Sequence, residues 1–212
     1  MLNSKGFDLW ADNYDKSVNL SEEENTYPFA GYKNVLGNIY HKIREKKGKT
    51  ILDIGFGTGI LSKKLYDDGY QIYGIDFSDK MIEKAKEKMP SATLIKHDFT
   101  YGLPECLYNN KFDFIICTYA IHHLSHSQKI NFINELIEHL SDDHGILLIG
   151  DVAFSTLEEM KTCEDKYKDE WDDEEIYPVE EILKSTFPNM NFKKVSFCSG
   201  IFTFQKRSVQ NH

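Results

Sequence analysis

Hydrophobic positions in the middle of the chain follow two different periods. Short apolar runs of strand type are separated by stretches in which apolar residues recur at helical spacing. The apolar runs predict strands at residues 50–54, 71–76, 93–96, 112–117 and 145–151. The stretches between them predict helices at residues 59–68, 78–88 and about 128–140. Strands that alternate with helices are typical of a parallel sheet with right-handed crossovers.

The N-terminal part of the chain has the helical period alone. Large apolar residues recur at this spacing from Phe7 to Val18, and a second apolar stripe runs from Tyr32 to Ile43. Gly48, at the end of a basic run, is expected to end the second helix. These residues are too few to bury a core of their own, so we expect them to form a helical cap on the sheet.

The C-terminal part departs from the alternation in another way. Residues 152–177 form an acidic, aromatic insertion that is a candidate lid, and residues 178–187 are predicted to form a helix. Residues 191–197 and 201–206 alternate apolar and polar positions about Ser199-Gly200, which predicts an antiparallel hairpin. The pattern predicts one α/β domain with a Rossmann-like, seven-stranded, mostly parallel sheet. Its predicted parts are a helical cap (1–48), a core of alternating strands and helices (49–151), an insertion (152–177) and a C-terminal helix and hairpin (178–212).

Composition and charge narrow the possible partners. The chain has 212 residues and a net charge of −9, of which −6 lies between Glu164 and Glu175, where eight acids face two lysines. An acidic chain without a basic stripe is a poor candidate for binding nucleic acid. There is no apolar run of the roughly 20 residues that a membrane helix needs. The cysteines are unclustered and no signal region precedes them, so we expect a cytoplasmic protein. The acidic charge makes a small molecule a better candidate ligand than a nucleic acid.

A glycine-rich turn, Asp53-Ile54-Gly55-Phe56-Gly57-Thr58-Gly59, joins the first strand of the core to the next helix. A nicotinamide-binding turn has its third glycine three residues after the second, and here Ile60 stands at that position. Asp53 would also repel a pyrophosphate, whereas it suits an ammonium or sulfonium ligand. The alternative is a glycine turn that only connects a strand to a helix.

Asp76 ends the second strand of the core, about twenty residues after the glycine turn. A carboxylate in this place can accept both hydroxyls of a ribose. Phe77 and Met81 are then placed to form the walls of an adenine site. The alternative is that Asp76 interacts with the dipole of the helix that begins near Ser78.

Four segments together resemble the class I S-adenosylmethionine-dependent methyltransferases, and the closest likeness is to the methyltransferase-11/25 type with small-molecule acceptors. They are the glycine turn with Asp53, Asp76, His97-Asp98-Phe99 and Tyr119-Ala120-Ile121-His122-His123-Leu124. The resemblance implies S-adenosyl-L-methionine as the cofactor, with Asp53 at its amino group, Asp76 at its ribose and Asp98 near its adenine. An alternative for Asp98 is a capping role in its loop, and one for Tyr14 is a core aromatic. The predicted cofactor-binding residues are Tyr14, Asp53, Gly55, Gly57, Thr58, Gly59, Asp76, Phe77, Met81, Asp98, Phe99, Thr118, Tyr119 and Ala120.

A histidine cluster follows the fourth strand. His122 or His123 is a candidate general base, because an imidazole can take a proton from a nucleophile near neutral pH. The alternative is a polar turn that leads into the next helix. His122 and His126 have the i, i+4 spacing of a helical metal-binding pair, but we expect no Asp, Glu or Cys near them to complete a set of metal ligands. The resemblance implies no metal at this segment, so we predict none.

The predicted reaction is in-line transfer of the sulfonium methyl group to a small-molecule acceptor, which gives S-adenosylhomocysteine. Two other functions stay open. One is a non-catalytic protein that binds S-adenosylmethionine, and the other is a nicotinamide-dependent oxidoreductase, which Ile60 and Asp53 disfavour. We expect a monomer or homodimer without a nucleic-acid or membrane partner.

Overall fold

The computed structural model describes residues 25–142 and 144–206. The predicted helix from Phe7 to Val18, and Tyr14 within it, therefore lie outside the described residues. A seven-stranded sheet has the strand order β3-β2-β1-β4-β5-β7-β6. Its strands are β1 (Thr50–Ile54), β2 (Gln71–Asp76), β3 (Thr93–Lys96), β4 (Phe114–Thr118), β5 (Ile146–Val152), β6 (Asn191–Lys194) and β7 (Ser199–Gln205).

Strands β1 to β5 pair with one another in parallel, whereas β7 is antiparallel to both β5 and β6. This arrangement confirms the predicted fold class, including the C-terminal antiparallel hairpin. The α-helices are α1 (Tyr32–Arg44), α2 (Ile60–Asp67), α3 (Asp79–Lys88), α4 (His126–Glu138), α5 (Leu157–Lys166) and α6 (Glu180–Thr186). Among the described residues, no helix is both long enough and apolar enough to cross a membrane.

Apolar layers cover both faces of the sheet, which explains why its central strands are nearly continuous apolar runs. Val35 and Ile39 of α1 pack in one layer with apolar residues of α2 and α3. Phe132 and Leu136 of α4 pack in the other layer. Helix α1 can approach β5 closely because Gly150 has no Cβ atom. A Cβ atom at this position would lie only 2.5 Å from Val35 Cγ1. The described part of the cap is thus fixed beside the strand that borders the site.

Two helix starts follow directly from serine caps. The Ser78 hydroxyl accepts a hydrogen bond from the Met81 amide at 3.3 Å, which confirms Ser78 as the predicted cap of α3. Helix α4 begins at His126, two residues before the predicted start, because Ser125 and Gln128 form a reciprocal capping box. This cap fixes the turn that carries the histidine cluster.

Two predicted local features are wrong, and both involve glycines. Ser199 and Gly200 do not form the hairpin turn but open β7, and a Cβ atom at Gly200 would lie 2.3 Å from the Phe192 ring. Helix α1 ends at Arg44, before Gly48, where a Cβ atom would lie 2.6 Å from Phe114. Both glycines allow close packing rather than a turn. The insertion, whose secondary structure the sequence pattern did not predict, contains helix α5.

Candidate active site

A cavity of about 340 Å³ opens at the carboxyl ends of β1, β2 and β4, where ligands bind in open parallel sheets. The sequence-predicted residues that line it are Asp53, Gly55, Gly57, Thr58, Asp76, Phe77, Met81, Phe99, Thr118, Tyr119, Ala120, His122 and His123. The structure therefore brings together most of the predicted site. Gly59 and Asp98 do not line the cavity.

The glycine turn has a left-handed backbone at each of its glycines. The φ angles are 63° at Gly55, 55° at Gly57 and 72° at Gly59. This left-handed region is energetically unfavourable for residues that have a Cβ atom. Gly55 is also in close contact with the mouth of the cavity, since an added Cβ atom would lie 2.7 Å from Ala120 Cβ. Gly59 is the N-terminal cap of α2 and shapes the turn from behind the cavity.

Asp53 is a buried carboxylate that lines the cavity. Its Oδ2 atom accepts a hydrogen bond from the Ser62 hydroxyl at 2.5 Å, whereas Oδ1 has no partner among the described residues. Burial raises the pKa of this carboxyl to about 7, with the nearby Asp76 adding to the rise and Ser62 opposing it. A bound cation would remove this electrostatic penalty, so Asp53 fits an ammonium group.

Asp76 connects the glycine turn to the start of α3. Its Oδ2 atom accepts a hydrogen bond from the Gly57 amide at 2.9 Å, and Oδ1 accepts one from the Ser78 amide at 2.9 Å. The carboxylate lies in the cavity wall beside Phe77 and Met81. It therefore has the position expected for a ribose contact and also the helix-terminal position that was the alternative.

Asp98 is held in its own loop. Its Oδ1 atom accepts hydrogen bonds from the Thr100 amide at 2.9 Å and from the Thr100 hydroxyl at 2.7 Å. This is the capping geometry that was the alternative to an adenine contact. Phe99, the next residue, lines the cavity. Phe99, Phe77 and Met81 give the cavity apolar lining. Asp98 itself does not line the cavity, so its contact with adenine stays a prediction.

The mouth of the cavity is aromatic. Tyr119 follows β4 with a φ angle of 50°, which is unusual for a residue with a side chain. Its ring centroid lies 4.9 Å from that of Tyr32 and 5.6 Å from that of Phe29. Phe29 and Tyr32 come from the described part of the cap. The cap thus covers one side of the mouth, as the sequence predicts.

His122 is held at the opposite, polar side of the mouth. Its Nδ1 atom lies 2.7 Å from Oδ1 of Asp151, a fully buried acid at the end of β5. Its Nε2 atom lies 3.5 Å from Oε1 of Glu175. Burial opposes protonation of the imidazole, but the charge of Asp151, its hydrogen bond to the ring and the charge of Glu175 together outweigh burial and raise the pKa of His122. His123 lies against His122 with ring centroids 4.3 Å apart, and burial together with the charge of His122 lowers its pKa to about 3.

The histidine spacing does not produce the helical pair that was considered. His122 lies in a 3₁₀ turn (Ile121–His123), whereas His126 is the first residue of α4 and is exposed. The premise that no acid lies near the histidines is also wrong, because the fold brings Glu175 to His122 from 53 residues away. No local pattern could show this contact. Asp151 was visible as an acid at the end of a predicted strand, as Asp53 and Asp76 are.

The insertion borders the cavity through its acidic end. Asp172, Glu174 and Glu175 line the cavity, and the Ile176 amide donates a hydrogen bond to the carbonyl of His122 at 2.9 Å. Aromatic rings fix this segment to the cap, with the Trp171 ring stacked on Tyr27 at 5.2 Å. The hydroxyls of Tyr27 and Tyr177 are also hydrogen-bonded to each other. The insertion thus has the position that the lid hypothesis requires.

Comparison with known proteins identifies the family. Residues 51–143 match the family model described as a methyltransferase domain. An uncharacterized methyltransferase of Geobacillus thermodenitrificans is 34% identical over 200 residues, which cover 90% of this chain and 88% of the relative. A second one, of Anoxybacillus flavithermus, is 38% identical over 149 residues, which cover 70% of this chain and 66% of the relative.

Solved structures agree on the fold. Magnesium protoporphyrin IX methyltransferase from Synechocystis, with bound SAH, has a TM-score of 0.66 and 18% identity, and the match covers 84% of this chain and 85% of that chain. An S-adenosylmethionine-dependent methyltransferase from Clostridium acetobutylicum has a TM-score of 0.65 and 14% identity, and covers 91% and 98% of the two chains. With the sequence relatives, these likenesses confirm the family that the motifs indicate. This chain therefore belongs to the class I S-adenosylmethionine-dependent methyltransferases.

Proposed function

We propose that the protein methylates a small-molecule acceptor, which binds in the part of the cavity between Tyr119 and His122. The observation that carries this proposal is the continuity of the cavity. One space is lined by the Asp53 and Asp76 carboxylates at one end and by aromatic and histidine side chains at the other. Segments of the cap and of the insertion close over the second end, which suits a small ligand better than a macromolecular surface.

Each end of the cavity has side chains that fit its proposed ligand. Asp53 would hold the ammonium group of the cofactor and Asp76 its ribose, with Phe77, Met81 and Phe99 beside the base. When bound, S-adenosylmethionine supplies a methyl group that its sulfonium charge already activates. The residues of the chain then have to orient the acceptor and exclude water, and correct positioning alone can lower a barrier by about 7–11 kcal/mol.

The charge of the cavity restricts the acceptor. Asp53, Asp76, Asp172, Glu174 and Glu175 contribute carboxylates, and no lysine or arginine lines the cavity in the part of the chain that the structure describes. A phosphate or carboxylate group on the acceptor would be repelled without a compensating partner. We therefore infer that the acceptor is neutral or cationic at the end that enters the site.

We expect Asp76→Ala to weaken S-adenosylmethionine binding by about 10- to 150-fold, the loss typical of hydrogen bonds to a charged group. Calorimetric titration of the purified protein measures this change. Asp79→Ala is the matched control, because Asp79 lies three residues on, is exposed and pairs with Lys96 on the surface. Since Asp76 also orders the turn, Asp76→Asn serves as a second variant that retains an acceptor oxygen. Undiminished binding in both Asp76 variants would contradict the assignment.

A methyl-release assay tests the acceptor. We expect S-adenosylhomocysteine to form with members of a panel of small thiols, amines and hydroxylated compounds, and not with peptides or RNA. Phe29→Ala should raise the KM for the acceptor by about 5- to 30-fold, since about 1–2 kcal/mol of apolar contact is lost, while cofactor affinity changes less than about threefold. Cofactor binding without turnover of any small molecule would instead favour a non-catalytic binding protein.

A further inference from the structure

We propose that His122, His123 and Glu175 bind a divalent transition-metal ion of the Zn²⁺ type at the acceptor end of the cavity. One imidazole nitrogen from each histidine and one carboxylate oxygen of Glu175 lie within 4.8 Å of one another. All three residues line the cavity, so an ion held by them would face the space assigned to the acceptor. The proposal departs from the sequence-based prediction of no metal at this segment, and neither the glycine turn nor the family motifs assign such a site.

The distances suit a single ion after small side-chain movements. Zinc binds nitrogen and oxygen ligands at about 2.0–2.2 Å, so two ligand atoms in a tetrahedral site lie about 3.3 Å apart. The His122 Nε2 atom and the Glu175 Oε1 atom are already 3.5 Å apart. His123 belongs to the same 3₁₀ turn as His122, and a rotation of its ring can bring the third ligand closer.

Hydrogen bonds orient the ligand atoms from behind. The Asp151 carboxylate accepts the Nδ1 proton of His122 at 2.7 Å, which leaves the Nε2 lone pair facing Glu175. The Tyr177 hydroxyl donates to Glu175 Oε2 at 2.6 Å, which leaves Oε1 facing His122. A carboxylate behind a metal-binding imidazole is the usual way in which proteins fix its tautomer and strengthen its donor atom. The site thus has ordered supports for two of its three ligands.

The surrounding charge also favours a dication. Asp151 and Glu175 bring two negative charges against the histidines, and Asp172 and Glu174 line the same wall. Lys129 is the neighbouring cation, and its ammonium group donates to the Leu124 carbonyl. Three protein ligands leave coordination positions for a hydroxyl, thiol or amine of the acceptor, whose proton a bound metal makes easier to remove. This consequence for the acceptor rests on the proposed function, whereas metal binding itself does not.

Metal titration without cofactor or acceptor tests the site. The full chain, purified without a histidine tag and treated with a chelator, is titrated with Co²⁺ and Zn²⁺. We expect one equivalent to bind, with visible Co²⁺ absorption that Zn²⁺ abolishes and that Mg²⁺ leaves unchanged, because Mg²⁺ prefers oxygen ligands. Since the readout is metal content and absorption, its failure leaves the methyl-transfer proposal standing.

Single substitutions separate this site from nonspecific binding. His123→Ala and Glu175→Gln should each weaken Co²⁺ binding by at least about 100-fold, and Asp151→Asn by about 10- to 100-fold, as for other residues behind metal ligands. His126→Ala is the matched control, because this exposed histidine lies three residues from His123 and should leave binding unchanged. A melting temperature verifies that each variant is folded. The proposal is overturned by the absence of stoichiometric binding, or by equal affinity in the wild type, His123→Ala and Glu175→Gln.

Discussion

Gly55→Ala is expected to lower the free energy of unfolding by about 2–4 kcal/mol and to abolish cofactor binding. The φ angle of 63° at this glycine disfavours a residue with a Cβ atom by about 1–2 kcal/mol. The new methyl group would also lie 2.7 Å from Ala120 Cβ, which is fixed to the backbone and cannot rotate away. Overpacking of this kind adds about 1–3 kcal/mol. Because the contact joins the glycine turn to the cavity mouth, relief of the clash must displace one of them.

Gly57→Ala is the matched control for this change. Its φ angle of 55° is similar, but an added Cβ atom meets nothing within 4 Å. We expect only the conformational part of the effect, about 1–2 kcal/mol. Ala120→Gly in the Gly55→Ala background should restore about 1–2 kcal/mol by removing the clashing atom. Urea denaturation of the variants measures these differences, and equal losses for the two glycine variants would contradict the packing argument.

The sequence was sufficient for the elements whose signals are local. The predicted bounds of β1, β2 and β3 coincide with the observed strands, because each is a short apolar run flanked by polar or turn-forming residues. Ser78 is the observed cap of α3, and this signal is also local, because a capping serine bonds to an amide only three residues away. The carboxyl ends of parallel strands meet at one edge, so Asp53 and Asp76 were placed together without any knowledge of tertiary contacts.

Features that depend on contacts distant in sequence could not be predicted. Gly200 carries the signal of a turn, but it is needed because the Phe192 ring packs on it from the neighbouring strand. Glu175 belongs to a run of surface-like charges, and only the folded chain shows that its carboxylate reaches His122. A charge run has the same local appearance whether its members are solvated or line a cavity. The polar side of the site was therefore the part least visible in the sequence.

Asp53→Asn is expected to weaken S-adenosylmethionine binding by about 100-fold or more at pH 8, since truncating the charge of a buried ion pair typically removes about 2–5 kcal/mol. The Asn side chain keeps the shape of Asp53 and an oxygen that can accept the Ser62 hydroxyl, so the loss reports the charge. Asp67→Asn is a suitable control, because that exposed acid pairs with Lys63 on the surface of α2. Calorimetric titration measures all three proteins.

The wild-type affinity should also depend on pH near neutrality. The pKa of Asp53 is raised to about 7 in the cofactor-free protein, so the carboxyl becomes protonated as the pH falls through 7 and the attraction for an ammonium group is lost. We expect the affinity to fall by up to about tenfold per pH unit below pH 7 and to level off above pH 8. Binding at pH 7 should release protons, which titrations in buffers of different ionisation enthalpy detect. In Asp53→Asn, the affinity for S-adenosylmethionine should depend less on pH, because the titrating carboxyl is absent. An equal pH dependence in the variant and the wild type would refute the assignment.

The same buried charge should act on stability in the opposite direction. Because the folded-state pKa of Asp53 lies above the ordinary value of 3.8, ionisation destabilises the folded protein increasingly from about pH 4 to pH 7 and fully above pH 7. Asp53→Asn removes that penalty, so the cofactor-free variant should be more stable than the wild type at pH 8, by at most about 4 kcal/mol. This difference should shrink towards pH 4. Saturating S-adenosylmethionine should reverse the order at pH 8, because it stabilises only the protein that binds it tightly. Melting temperatures at both pH values, with and without cofactor, test this reversal. If the cofactor-free variant is less stable than the wild type at pH 8, the ionised Asp53 carboxylate does not destabilise the folded protein and the argument is wrong.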